Sequence, residues 1–204
     1  RLRFDKGVFM DIQPLKVAVC VLTYNRMGML IRTLGSLKNP EHPYIPVIVD
    51  NGSTDGSAEM VKEIGGIPNK SGNNRTGYGM NLAISEAMKH KPDIILFSAD
   101  DFEYRKGFLA RLVSFWREAP KDIIMTSCYL EPKWSWNKIV SVDTAGGQGY
   151  AIRTSIPGSN WSFRASDVDK IFPVPEKTGG EDLETCNRLR QQRYRLAALD
   201  LVIH

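Results

Sequence analysis

The alternation of short apolar runs with segments of helical periodicity constrains this chain more than any single motif. Val17-Ala18-Val19-Cys20-Val21-Leu22 is continuously apolar, as in strands covered on both faces. After Thr23-Tyr24-Asn25-Arg26, apolar residues recur at Met27, Leu30, Ile31, Leu34 and Leu37, the spacing of one helix face. The pattern returns as a short strand over residues 46–50 with a helix around residues 57–64. It returns again as a helix marked by Met80, Ala83, Ile84, Ala87 and Met88, followed by a buried strand over residues 93–97. Parallel strands need crossovers, so this order predicts a Rossmann-like α/β fold with a mostly parallel central sheet and helices on both faces. Ligands of such sheets bind at the carboxyl ends of the strands.

The second half is less regular. Phe108, Leu109, Leu112, Val113 and Trp116 predict a helix leading to a strand over residues 122–128, and residues 130–165 show no clear period. A short helix near residues 166–171, a helix from Glu181 with Leu183, Cys186 and Leu189 on one side, and a strand over residues 194–202 complete the reading. At 204 residues and 42% hydrophobic content the chain suits one well-buried core, with residues 1–16 as a tail or strand and residues 17–204 as a single domain. No apolar stretch reaches the roughly 18 residues of a membrane span, so a cytoplasmic protein is expected. Cys20, Cys128 and Cys186 are far apart and lack metal or disulfide spacing, which predicts reduced core thiols. A formal charge of +4 suits a polyanionic ligand without the concentrated basic runs of a dedicated nucleic-acid binder.

Three polar sets follow predicted strands: Thr23-Tyr24-Asn25-Arg26, Asp50-Asn51, and Ser98-Ala99-Asp100-Asp101. In a parallel sheet they share one edge. Two adjacent carboxylates after an apolar strand call for a neutralising cation or donors, and hard oxygen ligands suit Mg²⁺ or Mn²⁺ bridging a diphosphate. The same acids also suit the first turn of a helix, and Asp50-Asn51-Gly52-Ser53 also suits a plain turn.

These segments, with Asn73 to Asn81 and Gly180-Glu181-Asp182-Leu183-Glu184, resemble family 2 glycosyltransferases of the GT-A fold in order and spacing over residues 17–204. The resemblance implies an inverting transfer of a sugar from a nucleoside diphosphate sugar, by family habit a uridine one, to an acceptor hydroxyl, assisted by Mn²⁺ or Mg²⁺. It implies a nucleotide-sugar half over residues 17–105 and an acceptor half over residues 106–204. Asp50 would accept the base's N–H, Tyr24 would stack on the ring, and Arg75 would contact base or phosphate, with Thr23, Asn25, Arg26, Asn51, Asn81, Ser98, Ala99 and Asp100 completing the donor site. Asp100, Asp101 and His204 would hold the metal. Asp182 is the implied general base, with Glu181 tuning its charge or binding the acceptor. Asn160 and Trp161 are candidates for the acceptor side, where Trp161 would offer an aromatic face. Many members carry Asp where this chain has Ser98, so an Asp-x-Asp triplet is absent here. The Gln-x-x-Arg-Trp of processive members is also absent, which favours single sugar addition.

Strand one is followed by neither Gly-x-Gly-x-x-Gly nor a Gly-Lys-Ser/Thr loop, which disfavours dinucleotide oxidoreductases and NTP hydrolases. A sugar-phosphate nucleotidyltransferase lacks its Gly-rich, Arg-containing loop here. A non-catalytic nucleotide- or nucleic-acid-binding module is the competing class, and the paired acids at residues 100–101 and 181–182 argue against it. The acceptor is open among saccharide, lipid carrier, protein and modified nucleic-acid base.

Overall fold

The computed structural model describes residues 2–3, 9–10, 14–38, 41–69, 75–130, 139–177 and 179–203. Two short strands, β1 (Leu2–Arg3) and β2 (Phe9–Met10), pair with each other antiparallel. The main body then runs β3 (Val17–Thr23), α1 (Met27–Ser36), β4 (Tyr44–Asp50), α2 (Ser57–Glu63), β5 (Ile67–Pro68), α3 (Thr76–Lys89) and β6 (Ile94–Ala99). After it come α4 (Phe108–Glu118), β7 (Ile123–Leu130), β8 (Ile139–Ala145), β9 (Gln148–Arg153), β10 (Asn160–Arg164), a 3₁₀ turn into α5 (Val168–Ile171), α6 (Glu181–Gln191) and β11 (Arg195–Ile203).

Nine strands form one sheet in the order β5-β4-β3-β6-β10-β7-β11-β9-β8. The parallel arrangement expected from the alternation holds from β5 through β6. Beyond β6 the sheet is mixed: β10 lies antiparallel to both β6 and β7, β11 runs parallel to β7, and β9 and β8 add antiparallel strands. β8, β9 and β10 occupy residues whose sequence showed no period. The β8–β9 hairpin turns at Gly146 and Gly147, both at positive φ, as a two-residue hairpin favours.

The pleat sorts the core into two layers. Val17, Val19 and Val21 of β3 face α1, α2 and α4, whereas Ala18 and Cys20 face α3, α5 and α6. Both layers are closed by aromatics, Phe115 and Trp116 on one side and Trp161, Phe163 and Phe172 on the other. On α6, Cys186 and Leu189 are buried as expected, but Leu183 points to solvent. Cys20, Cys128 and Cys186 are buried and unpaired. Among the described residues no helix is long and apolar enough to cross a membrane.

Candidate active site

The parallel register of β3, β4 and β6 decides what meets at the strand ends. Thr23 lies opposite Asp50, and Leu22 opposite Ala99, so the chain leaves three neighbouring strands with polar side chains on one rim. The Thr23 hydroxyl donates to Asp100 Oδ2 at 2.6 Å, the Thr33 hydroxyl of α1 donates to the Asp100 carbonyl at 2.7 Å, and Arg26 Nη1 lies 3.1 Å from Asp101 Oδ2 and 3.5 Å from Asp100 Oδ1. Asp100 is buried and Asp101 exposed. Burial pushes the Asp100 carboxyl above the ordinary carboxylate range; the Thr23 hydroxyl and the Arg26 guanidinium pull it back, and the Asp101 charge adds to the rise.

Asp50 is fully buried. Its Oδ2 accepts the Gly52 and Ser53 backbone N–H groups at 3.0 Å each, while Oδ1 is enclosed with no partner. A buried carboxylate oxygen without a donor is costly, so Oδ1 leaves an unmet hydrogen-bond demand at the rim. Asn51 holds the rim from below: its backbone N–H bonds the Thr23 carbonyl, and its amide reaches the Arg75 carbonyl at 3.3 Å and accepts from Asn69. Tyr24 is exposed beside this rim, and Arg75, at the entrance to α3, donates to the Glu176 carbonyl.

Across the strand ends lies a cavity of about 410 Å³, lined by Leu22, Phe97 and Ala99 from the sheet, Thr76 at the start of α3, Pro157, Gly158 and Ser159 before β10, and Gly179, Gly180, Glu181 and Asp182 at the start of α6. Two helix N-termini therefore open on one space, an arrangement that favours anionic ligands. Asp182 Oδ2 accepts the Gly158 N–H at 3.1 Å and Oδ1 the Leu183 N–H at 2.7 Å. Each oxygen keeps further acceptor capacity. Gly158 is demanded by this contact, since a Cβ there would lie 2.7 Å from the Asp182 Cβ. Glu181 is buried, and its Oε2 has no partner.

Several residues expected in the site do other work. Trp161 is wholly buried between β6 and β7 and offers no face to an acceptor. Asn160 is buried too: its amide donates to the Tyr104 hydroxyl at 2.8 Å, Tyr104 donates to Ser98 Oγ at 2.6 Å, and Ser98 donates to the Ala99 carbonyl at 2.7 Å. Ser98 thus turns inward, its hydroxyl committed, and does not replace a missing Asp at the rim. Asn81 clamps Val174 by two bonds, 3.0 Å and 2.9 Å, holding the segment that leads to α6. Asn25, at φ 53°, accepts the Thr54 N–H and donates its own N–H to Ser53 Oγ, lacing two loops together. His204 lies outside the described residues, as do residues 70–74. Sequence reasoning did not single out Thr33, Tyr104 or Gly158. Only Gly158, after Pro157 in an irregular stretch, carried a local signal.

The donor set fits a divalent cation in chemistry, with two carboxylates of hard oxygen on one rim. Among the described residues no group of three or more His, Cys, Asp or Glu side chains converges to hold one.

The sequence profile described as "Glycosyl transferase family 2" matches residues 18–166, so the chain belongs to that glycosyltransferase family. Among solved structures it is similar to the mannosyltransferase PcManGT from Pyrobaculum calidifontis in complex with GDP-Man and Mn²⁺, at 19% identity and a TM-score of 0.68, covering 94% of this chain and 57% of that one. S. aureus TarS 1-349 aligns at 17% identity and a TM-score of 0.68 over 91% of this chain and 58% of that one. Its complex with UDP-GlcNAc gives 16% identity and a TM-score of 0.68 over 92% of this chain and 58% of that one. The chain therefore spans somewhat over half the length of these neighbours, and they share its fold. No curated protein matches it in sequence.

Proposed function

We propose that the chain transfers a glycosyl group, with inversion, from a nucleoside diphosphate sugar to an acceptor hydroxyl. One observation carries this reading: Asp50, Thr23 and Asp100 share a rim across the strand ends from Asp182. Asp50 Oδ1 receives the N–H of the nucleobase, which uracil and guanine both present, and Tyr24 stacks on the ring. The donors bound in the neighbouring structures, GDP-Man and UDP-GlcNAc, carry those two bases.

Asp100 and Asp101 would hold Mn²⁺ or Mg²⁺ against the diphosphate, and such an ion supplies positive charge where the leaving group gathers negative charge. Thr23 and Thr33 fix Asp100 from both sides, so its carboxylate stays aimed without reorganising. Asp182, held by Gly158, takes the acceptor hydroxyl's proton as that oxygen attacks the anomeric carbon. Glu181 lies beside it, buried and with its Oε2 lacking a hydrogen-bond donor.

Release of nucleoside diphosphate from UDP-GlcNAc and GDP-Man, measured with Mn²⁺ across saccharide, lipid-linked and protein acceptors, tests the reading. Asp182→Asn is expected to keep donor binding while turnover drops about 10²- to 10⁴-fold. Unchanged turnover removes Asp182 from the mechanism, and donor binding without turnover under every condition supports a binding module instead.

A further inference from the structure

The Asp100–Asp101 pair is already faced by a cation of the chain itself. Arg26 stands at the entrance to α1, where its backbone carbonyl accepts the N–H groups of Met29 and Leu30. Its side chain crosses the rim so that a single nitrogen, Nη1, meets both carboxylates, at 3.1 Å on Asp101 and 3.5 Å on Asp100. This is a loose hold. A guanidinium locks a carboxylate through two parallel N–H bonds, whereas here one nitrogen is divided between two acids and the longer contact is at the limit of a hydrogen bond. The Arg26 side chain is half exposed, so water competes for it, while the Asp100 side chain is 4% exposed and held in place by Thr23.

We propose that Arg26 is a resident counter-cation that a divalent ion must displace, and that the displaced guanidinium then pairs with the donor's diphosphate. The inference rests on the donor site proposed above. A guanidinium and a divalent ion cannot occupy the same pair of oxygens, because their like charges repel at contact distance. The ion, with twice the charge and a preference for hard oxygen, takes the carboxylates. Arg26 moves with little loss, since its anchor is its backbone at the helix entrance and its side chain is held on one nitrogen alone. A diphosphate brought to the rim offers two oxygens of one phosphate to the guanidinium fork, a bidentate contact that its single-nitrogen hold on the two carboxylates lacks. Arg26 thus weakens the binding of the ion alone and strengthens the binding of the nucleotide, so that the two arrive together. By reciprocity each raises the other's affinity by the same factor.

The test measures Mn²⁺ binding to the whole chain by the electron paramagnetic resonance of free Mn²⁺, and UDP and GDP binding by calorimetry, for the wild type, Arg26→Gln and Arg26→Lys. Arg26→Gln is expected to bind Mn²⁺ alone about fivefold more tightly than the wild type and UDP or GDP alone more weakly by a similar factor. Arg26→Lys, which keeps the charge without the fork, should match the wild type for Mn²⁺ and fall short of it for the nucleotide. Melting curves of all three confirm the fold. Equal or weaker Mn²⁺ binding by Arg26→Gln overturns the proposal. If none of the three proteins binds Mn²⁺, the proposal falls together with the ion-assisted part of the reaction. Sugar transfer in excess chelator then decides separately whether the transferase reading stands.

Discussion

At the scale of single residues the site depends on close approaches more than on the acids alone. Gly158 lets the chain before β10 run against Asp182, and its N–H holds Asp182 Oδ2. Gly158→Ala places a methyl group 2.7 Å from the Asp182 Cβ, so turnover should fall at least about tenfold while donor affinity stays near that of the wild type, because a small displacement of an aligned group is costly to the reaction. Steady-state kinetics with a separate donor-binding measurement checks this. Tyr104 joins Ser98 of β6 to Asn160 of β10 through its hydroxyl, and burial pushes that phenol well up in pKa and keeps it neutral. Tyr104→Phe keeps the ring contact with Phe108 and strands the buried Asn160 amide, while Ser98 keeps only its bond to the Ala99 carbonyl. A loss of about 1–3 kcal/mol in denaturant unfolding is expected. Asp50, Asp100 and Asp182 stood out as candidates because acids follow strands or open a helix, and Asp50 and Asp100 do meet at one rim. Asn25, Asn81 and Ser98 sit in equally suggestive places, but the Asn25 Oδ1, the Asn81 amide and the Ser98 hydroxyl are bonded within the fold, and only the partner's position reveals that.

At the scale of elements, the loops after β3 and β4 are fastened by Asp55. Its Oδ2 accepts the Met27 N–H at the start of α1, and its Oδ1 accepts the Ser57 N–H and hydroxyl at the start of α2. These bonds, the Ser57 hydroxyl first and the Met27 N–H next, lower the Asp55 pKa. The folded state therefore favours the ionised form, and the stabilisation is complete above the ordinary Asp value and fades as pH falls through the lowered one. Asp55→Asn should melt below the wild type at neutral pH, and the gap should narrow on acidification, as melting curves across pH would show. β3, α1, β4, α2, α3 and β6 could be read from the sequence because strands covered on both faces write continuous apolar runs and their helices write a stripe, whereas the two-residue β5 was too short to write either. β10 hid for the opposite reason. Asn160 and Ser162 look like surface residues, yet Ser162 takes the Trp116 indole N–H and meets the Thr126 hydroxyl inside the core. A polar residue satisfied by neighbours far along the chain has no local signature, and Trp161 between them could be taken for an aromatic face toward an acceptor for the same reason.

At the scale of the molecule, the site sits on the seam where β6 meets β10. The parallel half supplies Asp50, Asp100 and Asp101, and the segments flanking β10 supply Gly158 and the approach to Asp182. A ligand gripping both sides stabilises the folded chain as a whole. UDP or GDP with Mn²⁺ should raise the melting temperature, corresponding to about 2.7 kcal/mol at a hundredfold excess over Kd. A thermal-shift panel over both nucleotides also reads the base preference, because the contact proposed for Asp50 Oδ1 would suit either base.

The place of β10 also governs the order in which the polypeptide can assemble. Residues 160–164 separate strands made much earlier, so during synthesis β6 and β7 wait with unpaired edges until the last third of the chain arrives. Such distant pairing slows folding and leaves the nascent chain open to wrong partners. A chain cut before residue 160 would hold Thr23, Asp50, Asp100 and Asp101 and still lack the strand that joins β6 to β7.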